Sequence, residues 1–410
     1  MDANKLSFIC KMERLKKGVT IRQLAEIAFS SSSVISKFEN SMTIPKEDAL
    51  ACITDALEIE IFDDEKIVGK WQSLIAQAFY NIVHFNYQEA NKYFEELMDD
   101  KSQILVSNCC IDFHLLEIAI NLHYYRSTDL GAEINLLNEF EKVFDASQLR
   151  TFYYLKAFNQ GLHDDYGLTI EWLWKAYENN SLNATIPDEL IYFQIGFSYS
   201  SLNNAVLSIK YTSKAKEMFD KKNSFRRSLY ALVNISNQYI KLGNFDYAEE
   251  ILETIITNAK SFGLDYIASL SYNLLSTVKL SKGENEKALE LAKLSLANKP
   301  ASRNDMYYTI ILASYRLGLI DETKDLIKKV EELYSENKGK RTYLLVKYIE
   351  MLVDGKNDEE LTYYLRSLVD REVVSSSIMH KKYVVRQLMS IYERNRKYKE
   401  AYLLCKSICF

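Results

Sequence analysis

Apolar residues recur at helical spacing along nearly the whole chain, and they resolve into a short N-terminal group followed by a long series of helix pairs. Near the N-terminus, Thr20 is placed to cap a helix whose apolar positions are Ile21, Leu24 and Ile27, with Ala25 small enough to admit a close neighbour. Ser30 to Ser33 supply a turn and a second cap. Val34, Ile35 and Phe38 then form the apolar face of a second helix that ends at the Phe38-Glu39-Asn40 triplet. Residues 20–41 are therefore predicted to form two short helices joined by a tight turn.

Further on the pattern repeats. The clearest copies are YIKLGNFDYAEEILETII (239–256), VKLSKGENEKALELAKLSL (278–296) and ASYRLGLIDETKDLIKKV (313–330), each a helix end, a turn centred on Gly243, Gly283 or Gly318, and an amphipathic second helix. Weaker copies at 84–97, 163–176, 354–368 and 395–408 keep the turn and the apolar positions, and read as having lost the glycine. Helix pairs near 111–145 and 188–220 bring the expected total to about nine. One pair is too small to bury its own apolar face, so neighbours must stack into a solenoid with a concave surface. The expected chain is all-α, with a headpiece over 1–66 and a repeat array over 67–410.

Composition agrees with that reading. The 410 residues include only 3 Pro and 12 Gly against 29 Tyr and 19 Phe. The net charge of −5 excludes a protein that coats nucleic acid indiscriminately. Residues 1–46 nevertheless hold eight Lys or Arg against four acids, while 47–65 hold eight acids and no base, which confines positive potential to the headpiece. No run of about 18 apolar residues occurs, so a cytoplasmic protein with no membrane partner is expected. The six cysteines form no CxxC pair, and buried thiols are expected rather than a metal site, including at Cys405 and Cys409. There is no phosphate-cradling glycine loop, HExxH or nucleophile elbow, so neither an enzyme nor a cofactor is expected.

The predicted first helices of the pairs carry many side-chain amides, among them Asn81, Asn121, Asn159, Gln194, Asn234, Asn237 and Asn273. Asn is a mediocre helix former, and an amide offers the donor and acceptor that an extended peptide needs. A peptide track along Asn159, Gln194, Asn234, Asn237 and Asn273 is expected, with Tyr230 and Tyr308 as side-chain pockets and Arg227 as a carboxylate ligand. Arg226 and Arg303 stand beside Arg227 as alternatives.

Residues 20–41 resemble the helix-turn-helix of phage-repressor-type regulators, matching at Thr20, Leu24, Ala25, Ser31, Ser33, Ile35, Ser36, Glu39 and Asn40 with no gap. Phe29 and Ser41 stand where that class has glycine, so non-glycine residues are expected to hold positive φ. The resemblance implies a buried ion pair between Arg14 and Glu39, and DNA contacts from Arg22, Ser31, Ser32, Ser33, Ser36 and Lys37. The L-G-x-x-x-x-A pattern resembles the tetratricopeptide repeat, which implies a right-handed solenoid. The combination is similar to the peptide-pheromone receptors of the RRNPP group. It implies a quorum-sensing homodimer that binds operator DNA under the control of a short signalling peptide; the alternative is an adaptor that regulates a partner protein.

Overall fold

The computed structural model describes residues 3–124, 130–182, 184–297, 304–336, 338–369 and 378–409. All regular elements among them are helical. The first four helices are α1 (Ala3–Lys16), α2 (Ile21–Ile27), α3 (Ser32–Glu39) and α4 (Glu47–Ala56). Thr20 caps α2 through the Gln23 amide, and Gln23 returns the bond to the Thr20 backbone. Ser31 caps α3 by accepting from the Val34 amide at 3.2 Å. Between the helices Phe29 takes φ +49°, and Ser41 after α3 takes +53°, as their replacement of glycine predicts. Leu24, Ala25, Ala28, Ile35 and Phe38 close over Cys10, Ile53 and Leu57 to form a small core. The expected ion pair is present: Arg14 forks onto Glu39 at 2.6 and 2.7 Å, both side chains buried, and also donates to the Val19 carbonyl.

From residue 65 onward, helices follow one another in pairs. They are α5 (Glu65–Val83) and α6 (Tyr87–Met98); the short α7 (Lys101–Ile104); α8 (Cys110–His123) and α9 (Gly131–Asn138); α10 (Ala146–Leu162) and α11 (Tyr166–Glu178); and α12 (Asp188–Ser201) and α13 (Ala205–Lys221). Then come α14 (Phe225–Leu242) and α15 (Phe245–Ser261), α16 (Asp265–Lys282) and α17 (Asn285–Ala297), α18 (Asn304–Arg316) and α19 (Ile320–Leu333), α20 (Arg341–Val353) and α21 (Asp358–Val369), and α22 (Ile378–Arg394) and α23 (Tyr398–Cys409). Among the described residues these make nine successive couples.

Eight of the nine share one turn. Its key residue has positive φ: Phe85, Asp164, Asn203, Gly243, Gly283, Gly318, Gly355 and Arg396. The next amide reaches back five residues to a carbonyl of the first helix, as in Asn86 to Asn81, Asn244 to Tyr239 and Lys397 to Tyr392. Gly355, at φ +69°, corrects the reading that the 354–368 copy has lost its glycine. Five residues after the turn residue a small side chain lies buried in seven pairs: Ala90, Thr169, Ser208, Ala248, Ala288, Thr323 and Ala401. That position admits the facing helix; in the 354–368 pair the buried residue is Leu361, one place later.

Two compact units divide the chain, residues 1–198 and 199–410. Unit 1 holds the four N-terminal helices together with the first repeat pairs. Phe8 of α1 packs on Phe140 at 4.6 Å and on His114 at 5.7 Å, and Lys11 bonds the Glu139 carbonyl at 3.1 Å. Unit 2 has a core of Leu252, Ile255, Ile267 and Val278 around α14–α16, and a second, larger one around α18–α22.

Candidate functional site

On α3, Ile35 and Phe38 face the core while Ser32, Ser33 and Lys37 are exposed and Ser36 is half-buried. Arg22 is exposed on α2. Ser31 is exposed, but its hydroxyl already accepts the Val34 amide, so its first role is to start the helix. The turn between the helices also exposes apolar surface: Phe29 is 94% accessible and Ile27 is exposed.

In unit 2, α14 turns a half-buried stripe outward along one face, made of Arg226, Tyr230, Val233, Asn237 and Lys241. The matching stripe of α16 holds Tyr266, Leu270, Asn273 and Thr277. The two stripes are neighbours, since the Tyr230 and Tyr266 rings lie 6.1 Å apart. Among the described residues, the Asn237 side chain has no hydrogen-bond partner, and the buried Asn273 Oδ1 accepts nothing. A buried amide oxygen without a donor costs about 1–3 kcal/mol, which a ligand N–H would recover. Lys241 ends the stripe, donating to the Ser200 carbonyl at 2.7 Å and to the Ser200 hydroxyl at 3.2 Å. Sequence reasoning passed over Lys241, although its place one turn after Asn237 on the same face is visible in the spacing.

Other expected peptide residues are placed differently. Asn234, three positions before Asn237 on α14, is buried and spent inside the fold: it donates to Thr212 at 3.0 Å and accepts from Gln238 at 2.9 Å, while Gln238 also donates to Ser200. Arg227 is only 2% exposed and lies over the Phe219 ring, because on α14 it faces the preceding helix rather than the open stripe. Tyr308 is enclosed too. His380 stands edge-on to its ring at 5.4 Å and Tyr383 at 6.0 Å, and burial raises its pKa well above the ordinary phenol value. Arg303 lies outside the described residues. In unit 1, Asn159 is buried with its Oδ1 unbonded, and Gln194 is half-buried with no side-chain bond among the described residues. Asn81 and Asn121 bond carbonyls of their own helices.

Among the described residues, no group of three or more His, Cys, Asp and Glu side chains is placed to hold a metal ion. None of their helices is long and apolar enough to cross a membrane.

No family model matches the chain. Regulatory protein RapD of Bacillus subtilis (strain 168) is 23% identical over 213 residues, a stretch that covers 48% of this chain and 60% of that protein. The match thus spans less than two thirds of the relative's length. The structure of a Rap protein complexed with Competence and Sporulation Factor aligns over 83% of this chain and 97% of its own, with a TM-score of 0.68 and 14% identity. The chain has the Rap fold. NprR in complex with its cognate peptide NprX aligns over 84% of this chain and 99% of its own, with a TM-score of 0.62 and 18% identity. The shared architecture is the tetratricopeptide-like helical repeat, which the L-G-x-x-x-x-A pattern predicts.

Proposed function

We propose that the chain is a peptide-controlled regulator. The stripes of α14 and α16 receive a short peptide in extended form, and α2 and α3 are a helix-turn-helix that enters a DNA major groove. The peptide half rests above all on Asn237 and Asn273, uncommitted amides on neighbouring first helices, each able to donate to and accept from a peptide backbone. The fold shared with NprR, whose structure holds its cognate peptide, supports it. Asn159 and Gln194 in unit 1 are candidates of the same kind.

The DNA half is supported by the two caps, the buried Arg14–Glu39 pair and the exposure of Arg22, Ser32, Ser33 and Lys37. Serine hydroxyls both donate and accept, so they discriminate bases weakly, and two half-sites read by a symmetric homodimer supply the remainder. The exposed C-terminal residues Tyr402 and Leu403 are the proposed dimer contact; Phe410 lies outside the described residues. A cytoplasmic location follows from this role. The exposed Phe29 and Ile27 favour a second reading, in which the headpiece grips a partner protein under the same peptide control.

The DNA reading is tested by binding to the sequence upstream of the chain's own gene, titrated with salt. Lys37 is the one cation on α3, so Lys37→Ala is expected to weaken binding and flatten the log–log salt slope by about one unit. Absence of specific, salt-dependent binding would move the headpiece to the protein-partner reading.

A further inference from the structure

The α14 stripe ends in a cation with no counter-ion among the described residues. Lys279, in the last turn of the equivalent helix α16, is paired with Glu249 and Glu284, and Lys282 beside it with Asp246 and Glu249. Lys241, in the last turn of α14, has no carboxylate within ion-pairing distance among the described residues. Its ammonium meets only the oxygens of Ser200, which occupy two of its three N–H groups. The Ser200 carbonyl lies at the C-terminal end of α12, where a cation is favoured, and that accounts for the two bonds but not for the missing acid. Burial holds the Lys241 pKa below its ordinary value, and the positive charge of Arg341 pushes it the same way. A half-buried ammonium without a carboxylate partner is a costly arrangement that an incoming anion would relieve. Asn237, whose amide is uncommitted, stands one turn earlier on the same stripe.

We propose that Lys241, with Asn237 beside it, binds a carboxylate of the peptide and so fixes its direction and register along α14. This subsite rests on the peptide reading above. The carboxylate comes either from the peptide's C-terminus or from an Asp or Glu side chain, and the chemistry at Lys241 is the same for both. It replaces the role that sequence spacing assigned to Arg227, which is buried away from the stripe.

The test uses two pools of random hexapeptides, one with free C-terminal carboxylates and one amidated, applied to the full-length chain, with retained peptides identified by mass spectrometry. A terminal carboxylate predicts retention about tenfold lower from the amidated pool; a side-chain carboxylate predicts Asp or Glu enriched about tenfold at one fixed position in both pools. Lys241→Met should erase that preference and Lys241→Arg should keep it. If the Met variant melts early through loss of the Ser200 bonds, Lys241→Gln, whose amide can still donate to Ser200, reads the same charge preference and should lower it several-fold. A wild-type chain that retains peptides with no charge preference overturns the subsite and leaves the groove. So does a Met variant with the wild-type preference. Retention of no peptide at all by the wild type removes the groove reading and the subsite with it.

Discussion

Helices α14 and α18 hold the same place in their pairs, yet α14 presents a half-open polar stripe while α18 is buried at every position from Met306 to Ser314. The turns that follow them are alike: Gly243 at φ +83° and Gly318 at +73°, each with an amide bonded back five residues. The difference lies in what arrives later along the chain. Tyr383 and His380 of α22 close on Tyr308, and Tyr348 of α20 packs beside Tyr383. Asn237 stays half-buried, and its amide has no partner among the described residues. Openness is thus decided by tertiary neighbours rather than by a helix's own sequence, and that contrast is why the proposed ligand surface is placed on α14 and α16.

The largest effect that would break this contrast is at the enclosed helix. Tyr308→Ala removes a ring from a filled cluster and is expected to cost about 3 kcal/mol or more, seen as roughly hundredfold faster amide exchange along α18. Exchange close to wild type would mean that α18 is as open as α14. Next come Asn237→Ala and Asn273→Ala, neither of which should destabilise the free protein by more than about 0.5 kcal/mol, but each of which should cost about 1–3 kcal/mol of affinity for a retained peptide by calorimetry. Undiminished affinity in both would remove the amides from the site. Smallest are the turns. Gly243→Ala and Gly318→Ala meet no atom within 4 Å of the added Cβ, so only backbone strain acts, at about 1 kcal/mol in each case. Clearly unequal losses would show that the two turns differ after all, and not just their cover.

Much of this was legible in the chain. Thr20, Ser31 and the residues at Phe29 and Ser41 announced caps and left-handed turns because those functions depend on local chemistry. Gly243, Gly283 and Gly318 marked their turns for the same reason. Phe85, Asp164, Asn203 and Arg396 adopt the same backbone without glycine, and only the small residue five places on records it. The site was harder to read. Asn234 and Asn237 are three positions apart on one helix, and which of them is consumed by Thr212 and Gln238 depends on helix rotation. Tyr308 and Tyr230 look alike as residues of first helices, and the side chains that seal Tyr308 lie some 70 residues further along.

The central claim is that α14 and α16 form the peptide-binding face, and amide hydrogen exchange on the full-length chain tests it most directly. A hexapeptide retained from the random pool, added at saturation, should slow exchange along α14 and α16 and leave the already enclosed α18 unchanged. Protection confined to other helices, with α14 and α16 exchanging as in the free protein, would contradict the account.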